Sequence, residues 1–177
     1  MRILIVLVAL NALLACAGPY DDLAKDFEAA GQAKGANVGV NNVVLVSTKH
    51  RGAFSYRGGM TVSLTENVVE VRTDFPLNLF EKSIDLPAAQ VSACAMTCFG
   101  VKDRNVDLLF VAHGADIQFD AAAEFIDWCW RNGIPMASGA QKRDWLYSGK
   151  ALPSRETYTR VSREEYEKQA HRACLGY

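Results

Sequence analysis

Cysteines are the residues whose chemistry is easiest to anticipate here, because a thiol can be acylated, oxidised or bound to a metal. Five are present: Cys16, Cys94, Cys98, Cys129 and Cys174. Structural zinc sites usually draw on closely spaced pairs of ligands, whereas this chain has one C-x3-C spacing and two distant cysteines. A thiol-redox enzyme needs a low-pKa pair such as C-x-x-C near a helix N-terminus. The spacing therefore favours neither zinc nor redox catalysis, and we expect no metal and no cofactor.

The N-terminal residues predict export. Arg2 is followed by an almost unbroken aliphatic run over residues 3–14. A run of about twelve residues is too short to cross a membrane, which takes roughly twenty, but it suits a signal peptide. The run ends in the sequence L-L-A-C at residues 13–16, which resembles the lipobox of bacterial lipoproteins.

This resemblance implies a lipid anchor. In that family the cysteine thiol becomes a thioether to diacylglycerol, the signal peptide is cut off before it, and the new amine is acylated, commonly with palmitate. We therefore expect residues 1–15 to be removed and Cys16 to hold the protein in the membrane, since two or three acyl chains anchor stably. Ala17 replaces the Asp that retains family members at the inner membrane, which favours the outer membrane, facing the periplasm. The alternative is an ordinary signal peptide in which Cys16 is incidental.

Lipidation of Cys16 leaves four thiols in an oxidising compartment. An even number indicates two disulfides, for which three connectivities exist. If residues 90–99 form a strand, Cys94 and Cys98 lie about 13 Å apart, beyond the roughly 7 Å that a disulfide spans. We therefore expect one of them to bond Cys129 and the other to bond Cys174, and both assignments remain open.

Catalytic motifs are missing from the sequence. It contains no G-x-S-x-G elbow, H-E-x-x-H helix, Walker loop or dinucleotide fingerprint. His113 and Asp116 fall in an apparent turn between strands with no identifiable nucleophile. His171 and Cys174 could share a metal, but a solvated C-terminal tail is the simpler interpretation of this pair.

The length and the charge of the chain exclude further classes. Removing residues 1–15 leaves 162 residues, which suits one domain, and changes the formal charge from −1 to −2. No basic stripe suits nucleic acid, and we expect no enzyme.

Aromatic residues supply the candidate binding surface. The four in question are Trp128, Trp130, Trp145 and Tyr147. Such residues dominate binding hot spots, so they could form a patch that docks a partner. The alternative is a seam between a helix and the segment that follows it, and both interpretations could hold for different rings.

Hydrophobic patterning divides the chain into four parts. After the signal peptide we expect a lipidated tether over residues 16–40 with a short helix at 23–30, a β-rich domain over 41–135, and an extension over 136–177. Residues 60–72 alternate around a tight turn, which predicts a hairpin. An amphipathic helix begins near Asp120, ends before Gly133 and directs Cys129 inward. A capping box at residues 162–165 begins a polar C-terminal helix.

The central region is similar to pleckstrin-homology-like domains, the group that includes GRAM-type modules. Residues 62–69 (V-S-L-T-E-N-V-V) resemble their L-T-x-N-x-V hairpin, residues 83–91 resemble their I-x-I-P-x-x-x-I segment, and residues 120–130 stand at the place of their terminal helix. The resemblance implies an α+β fold with six or seven short antiparallel strands in a partly open barrel, capped by one amphipathic helix and followed by a helical tail. Such scaffolds host many unrelated binding roles.

These expectations combine into one functional hypothesis. The lipid anchor and the missing catalytic motifs favour a non-catalytic envelope lipoprotein that binds or assembles with another envelope protein. The alternative is a small periplasmic hydrolase or ligand-binding carrier, which would need a deep pocket with converging polar side chains, for which the surroundings of His113 are one candidate place.

Overall fold

The computed structural model describes residues 19–175, with gaps at residues 32–33, 50–51, 58, 75–81, 100–102 and 121. The expected signal peptide and Cys16 lie outside the described residues. No helix in the described ranges is long and apolar enough to cross a membrane.

The described residues form nine strands and four α-helices, an α+β fold. The strands are β1 (Ala36–Val38), β2 (Asn42–Ser47), β3 (Gly52–Arg57), β4 (Met60–Leu64), β5 (Val68–Thr73), β6 (Ile84–Pro87), β7 (Ala93–Phe99), β8 (Asp103–Phe110) and β9 (Ala115–Phe119). The helices are α1 (Pro19–Phe27), α2 (Ala122–Arg131), α3 (Gly139–Ser148) and α4 (Arg163–Leu175). Two 3-10 turns, Ala88–Gln90 and Val111–His113, join strands.

The strands form two antiparallel sheets. The four-stranded sheet A has the order β1-β4-β5-β6, and the five-stranded sheet B has the order β3-β2-β9-β8-β7. Neither sheet closes on itself within the described part of the chain. The predicted count of six or seven strands was wrong, since the described residues alone form nine. Pro87 ends β6, a terminal position at which its missing N–H is tolerated.

The hairpin predicted for residues 60–72 is confirmed. Strands β4 and β5 pair antiparallel, with Met60 opposite Thr73 and Leu64 opposite Val69. Thr65 closes the turn, because its hydroxyl oxygen accepts a hydrogen bond from the Val68 amide at 2.9 Å. The alternating pattern determines the register between β4 and β5, because a slip by one residue would move every apolar side chain of a strand to the opposite face of the sheet.

One hydrophobic core fills the space between the two sheets. Its buried members include Val62, Val71 and Leu86 of sheet A and Leu45, Leu108 and Ile117 of sheet B. Helix α1 belongs to the same core, with Tyr20, Leu23, Ala24 and Phe27 buried. We expected this segment to be a tether with a helix at residues 23–30. The helix begins earlier, at Pro19, and packs as part of the domain.

Helix α2 is fastened to both sheets. Cys129 forms a disulfide with Cys94 of β7, with Cα atoms 6.5 Å apart, and Phe125 stacks on Phe119 of β9 at a centroid distance of 4.4 Å. On the other side, the indole N–H of Trp128 donates to the carbonyl oxygen of Thr65, in the sheet A hairpin, at 3.1 Å. The expected inward direction of Cys129 is confirmed, and one of the two open assignments for Cys129 is settled.

The second disulfide generates a prediction. Cys98 is also disulfide-bonded, and helix α4, which contains Cys174, packs against β7, although the side chain of Cys174 lies outside the described residues. We expect non-reducing proteolysis and mass spectrometry of the mature protein to recover Cys94 linked to Cys129 and Cys98 linked to Cys174. A Cys94–Cys174 peptide, or free thiols after denaturation without reductant, would contradict this pairing.

Candidate functional site

The outer face of sheet B is only half covered. Helix α3 lies over its β7 and β8 side, where Ala93, Ala95 and Leu109 pack with Ala137 and Trp145 in a second hydrophobic cluster. The outer face of β2 and β3 has no such cover in the described structure. Val44 and Val46 there are half-buried, and Ala53 and Ser55 are exposed. Helix α3 therefore forms a wall beside the uncovered outer face of β2 and β3, which we call the shelf.

The ends of α3 are defined by its sequence. Ser138 accepts a hydrogen bond from the amide of Gln141 at 3.2 Å, and the Gln141 side chain accepts one from the Ser138 amide at 2.8 Å, which makes a complete capping box. Gly149 ends the helix with a φ of 65°, a left-handed conformation that glycine adopts without penalty. The residues that wall the shelf, Trp145 and Tyr147, are thus held on a well-defined helix.

A buried charged cluster fastens α3 to the sheet. The Lys142 ammonium lies 2.9 Å from the Asp107 carboxylate on β8 and 2.8 Å from the Asp116 carboxylate on β9, and it donates to the Thr97 hydroxyl at 2.7 Å. The side chains of Asp107 and Asp116 are fully buried, and that of Lys142 is 7% exposed. We call these three residues the Lys142 cluster.

Burial shifts the titration of this cluster. Loss of hydration, reinforced by the nearby charge of Asp116, raises the pKa of Asp107 to about 7 against the opposing effects of Lys142 and Thr97. Burial acts to lower the pKa of Lys142, but attraction to Asp116 and Asp107 outweighs it and the net pKa is raised. The amine is therefore held charged, and the cluster contains one carboxyl that is easily protonated.

An open groove runs between the shelf and α3. Its volume is about 810 Å³, and its lining includes Val46, Ala53, Val111, Trp145, Leu146 and Tyr147. None of the described lining residues is charged. Tyr147 is 85% exposed and Val111 is 44% exposed, so apolar surface faces solvent here. Such a groove suits an uncharged ligand surface rather than an anion.

Strand β3 makes the groove's outer rim an open sheet edge. The other long edge of sheet B, at β7, is covered, because Cys94 exchanges backbone hydrogen bonds with Pro135 and Ala137. The β6 edge of sheet A is covered in part by Ala29, whose amide donates to Ser83. No described strand pairs with the outer side of β3, whose six residues contain no proline and carry one charge, Arg57 at the end of the strand. Edges without a pairing strand can accept additional strands.

The four aromatic residues named from the sequence do not form one surface. Trp128 is fully buried. Trp130 is half-buried, its indole N–H donates to the Val161 carbonyl at 3.0 Å, and the Arg160 guanidinium lies 4.4 Å above its ring. Trp145 is 7% exposed, and only Tyr147 projects into solvent. The seam interpretation fits the two tryptophans of α2, while Trp145 and Tyr147 line the groove.

His113 lies outside the groove, beneath α1. Its Nδ1 atom is 3.0 Å from the Asp26 carboxylate, and its ring meets that of Phe27 edge-on at 4.7 Å. The adjoining cavity, lined by Ser47, Lys49 and Asp22 among others, has a volume of about 20 Å³. That is room for about one water molecule. The deep pocket that a hydrolase or ligand carrier would need is not found among the described residues around His113.

Comparison with models of protein families, curated proteins and solved structures finds no match for this chain. The function must therefore be argued from the geometry of the groove and of the cluster beneath its wall. The Lys142 cluster was not predicted from the sequence. The available signal was Asp107, a carboxylate inside a strongly apolar strand, since buried carboxylates call for a partner.

The Lys142 cluster generates a prediction about stability. Replacing Lys142 with Met leaves two buried carboxylates without their cation, so the free energy of unfolding should fall by about 3–5 kcal/mol. Lys150→Met is the matched control, because Lys150 also lies 2.9 Å from a carboxylate, that of Asp144, but is 67% exposed. Its effect should stay within about 1 kcal/mol. Urea denaturation measures both, and equal effects would show that the cluster does not fasten α3.

Proposed function

We propose that this protein is a membrane-anchored envelope lipoprotein that binds another envelope protein without catalysing a reaction. The observation that carries the proposal is the groove, whose described lining residues carry no charge, beside the edge of β3, with which no described strand pairs. Strand addition at an open edge gives affinity through backbone hydrogen bonds, while pockets along the sheet select side chains. The groove and the edge belong to one surface, so one extended segment could use both.

The chemistry of the lining specifies the partner. An extended segment pairing with β3 directs alternate side chains toward the outer face of the sheet, over Val46 and Ala53 and against Tyr147. Apolar or aromatic side chains fit that position, because the described lining offers no charge to compensate a buried one. The partner is therefore a protein segment with β character and apolar residues at alternate positions.

The pleckstrin-homology-like assignment is compatible with this role. Its support is the confirmed hairpin of β4 and β5, and a helix that follows β9 directly and contacts both sheets. The hydrolase or carrier alternative draws less support. The cavity beside His113 is far smaller than the several hundred Å³ of ordinary ligand pockets, and the groove, which is large enough at about 810 Å³, has no charged residue in its described lining.

Site-specific photocrosslinking tests the groove. A photoreactive amino acid at position 53 or at position 147 should give adducts with the same envelope protein in intact cells. The matched control is position 164, since Glu164 is 78% exposed on α4 and distant in sequence from the groove.

A variant sharpens that test. Ala53→Arg places a charge among groove-lining residues of which none described is charged, so the adduct from position 147 should fall at least about tenfold, the effect of roughly 1.4 kcal/mol. Adducts of equal yield from all three positions, or an adduct from position 147 that Ala53→Arg leaves unchanged, would exclude the groove as the binding surface.

Anchoring has its own test. Cys16→Ser removes the thiol that would carry diacylglycerol, so the protein should move from the membrane fraction to the soluble fraction while keeping its disulfides. Mass spectrometry of the wild-type N-terminus should find a lipid-modified Cys16. Continued sedimentation of Cys16→Ser with membranes, or an unmodified N-terminus elsewhere, would rule out the anchor.

A further inference from the structure

The Lys142 cluster places an amine and two carboxyl groups in contact, shielded from solvent. The amine nitrogen lies 2.8–2.9 Å from one oxygen of each carboxyl group. The second oxygens, Oδ1 of Asp107 and Oδ1 of Asp116, are buried and have no hydrogen-bond partner among the described residues. Buried carboxylate oxygens are normally satisfied, so each aspartate keeps its contacts through Oδ2 alone, Asp107 with Lys142 and Thr97, while its Oδ1 atom does not contribute to stabilising the anion.

We propose that Lys142 and Asp107 form an intramolecular amide bond, with Asp116 accepting the proton from the amine. The reacting groups approach from different elements, α3 and β8, and the fold holds them together without a cofactor or an added reagent. Positioning of this kind can replace activation of the acid, since groups held in contact react as if at very high local concentration.

The reaction is a condensation of the amine with a carboxylic acid, and it releases one water molecule. The Lys142 ammonium gives one proton to the Asp116 carboxylate, and the neutral amine attacks Cγ of the protonated Asp107 carboxyl group. The new C–N bond forms, the C–OH bond breaks, and a second proton from the nitrogen leaves with the hydroxyl as water. The products are an amide, one water molecule and a neutral Asp116. Nothing is oxidised or reduced.

The geometry assigns different roles to the two aspartates. Asp107 is the group whose pKa burial raises most clearly, to about 7, so its neutral, attackable form is populated near neutral pH. Asp116 is the other carboxyl group in contact with the amine, at 2.8 Å, and its Oδ2 atom also accepts a hydrogen bond from Gln118 at 3.0 Å. This position makes it the group that can receive the proton from the amine.

Burial also favours the product. The starting cluster keeps an ammonium ion and a carboxylate away from water, and the loss of hydration makes burial of an ion unfavourable. The product buries an amide and a neutral acid in their place. The bond would join α3 covalently to the strand that it covers, and so fix the wall of the groove.

Peptide mapping of the full chain, purified and then reduced and denatured, tests the proposal. We expect one peptide containing Lys142 to be joined to one containing Asp107, with a combined mass lower by one water molecule, and trypsin to leave Lys142 uncleaved. Fragment-ion sequencing should show a free N-terminus at residue 132, which excludes a missed cleavage after Arg131, and should place the link at Asp107 and not at Asp116. Lys142 should not react with an amine reagent after denaturation. Recovery of the two peptides unjoined, with Lys142 fully reactive, would overturn the proposal.

Two comparisons give the test its specificity. Lys150 and Asp144 have the same 2.9 Å approach but are solvent-exposed, so that pair should remain unjoined in the same digest. Asp116→Asn keeps the size of the side chain but removes the proton acceptor, so the Lys142–Asp107 peptide should be lost while circular dichroism shows a folded protein. A joined peptide of undiminished yield in this variant would exclude Asp116 from the reaction, and a bond to Asp116 in the wild type would overturn the assignment.

Discussion

The attachment of helix α2 to both sheets is the constraint on which the rest of the structure depends. Two sheets that are not closed into a barrel can slide or separate unless something spans them. The Cys94–Cys129 disulfide holds α2 to β7, and the Trp128 indole holds it to the carbonyl of Thr65 in the other sheet. A buried indole without a partner would cost free energy, so this contact fixes the position of the hairpin relative to sheet B.

The inner face of sheet B packs in that core, so its outer face needs a separate cover. Helix α3 covers the β7 and β8 side of the outer face through two kinds of contact: apolar packing by Trp145 and ion pairs made by Lys142. Replacing a buried ion pair with apolar residues often leaves the stability of a protein unchanged or increases it. Stability alone therefore does not explain why charged residues occupy these positions. The geometric effect of the cluster is different: three directional contacts fix the helix in position and register on the sheet, and so fix the groove wall.

Local features were predictable and long-range ones were not. The hairpin of β4 and β5, strand β9 and helix α2 follow from alternation, helical periodicity and end signals that lie within a few residues of each other. Strand β1 has three residues, too few for a period to register. The burial of α1 and the covering of sheet B by α3 depend on contacts between residues far apart in the chain. Lys142 looks like any surface lysine until the fold brings Asp107 and Asp116 beneath it.

The packing of α1 also limits where the groove can lie relative to the membrane. Only two residues separate Cys16 from Pro19, and an extended chain gains at most about 3.5 Å per residue, so a lipid at Cys16 would hold the start of α1 within roughly 10 Å of the bilayer surface. Ser47 lines both the small cavity beneath α1 and the groove, which places one end of the groove beside α1. A long flexible linker would let the domain reach distant partners. Under the proposed anchor the domain would instead present the β3 edge to proteins that themselves lie at the membrane surface, so a short anchor and this edge would together restrict the choice of partner.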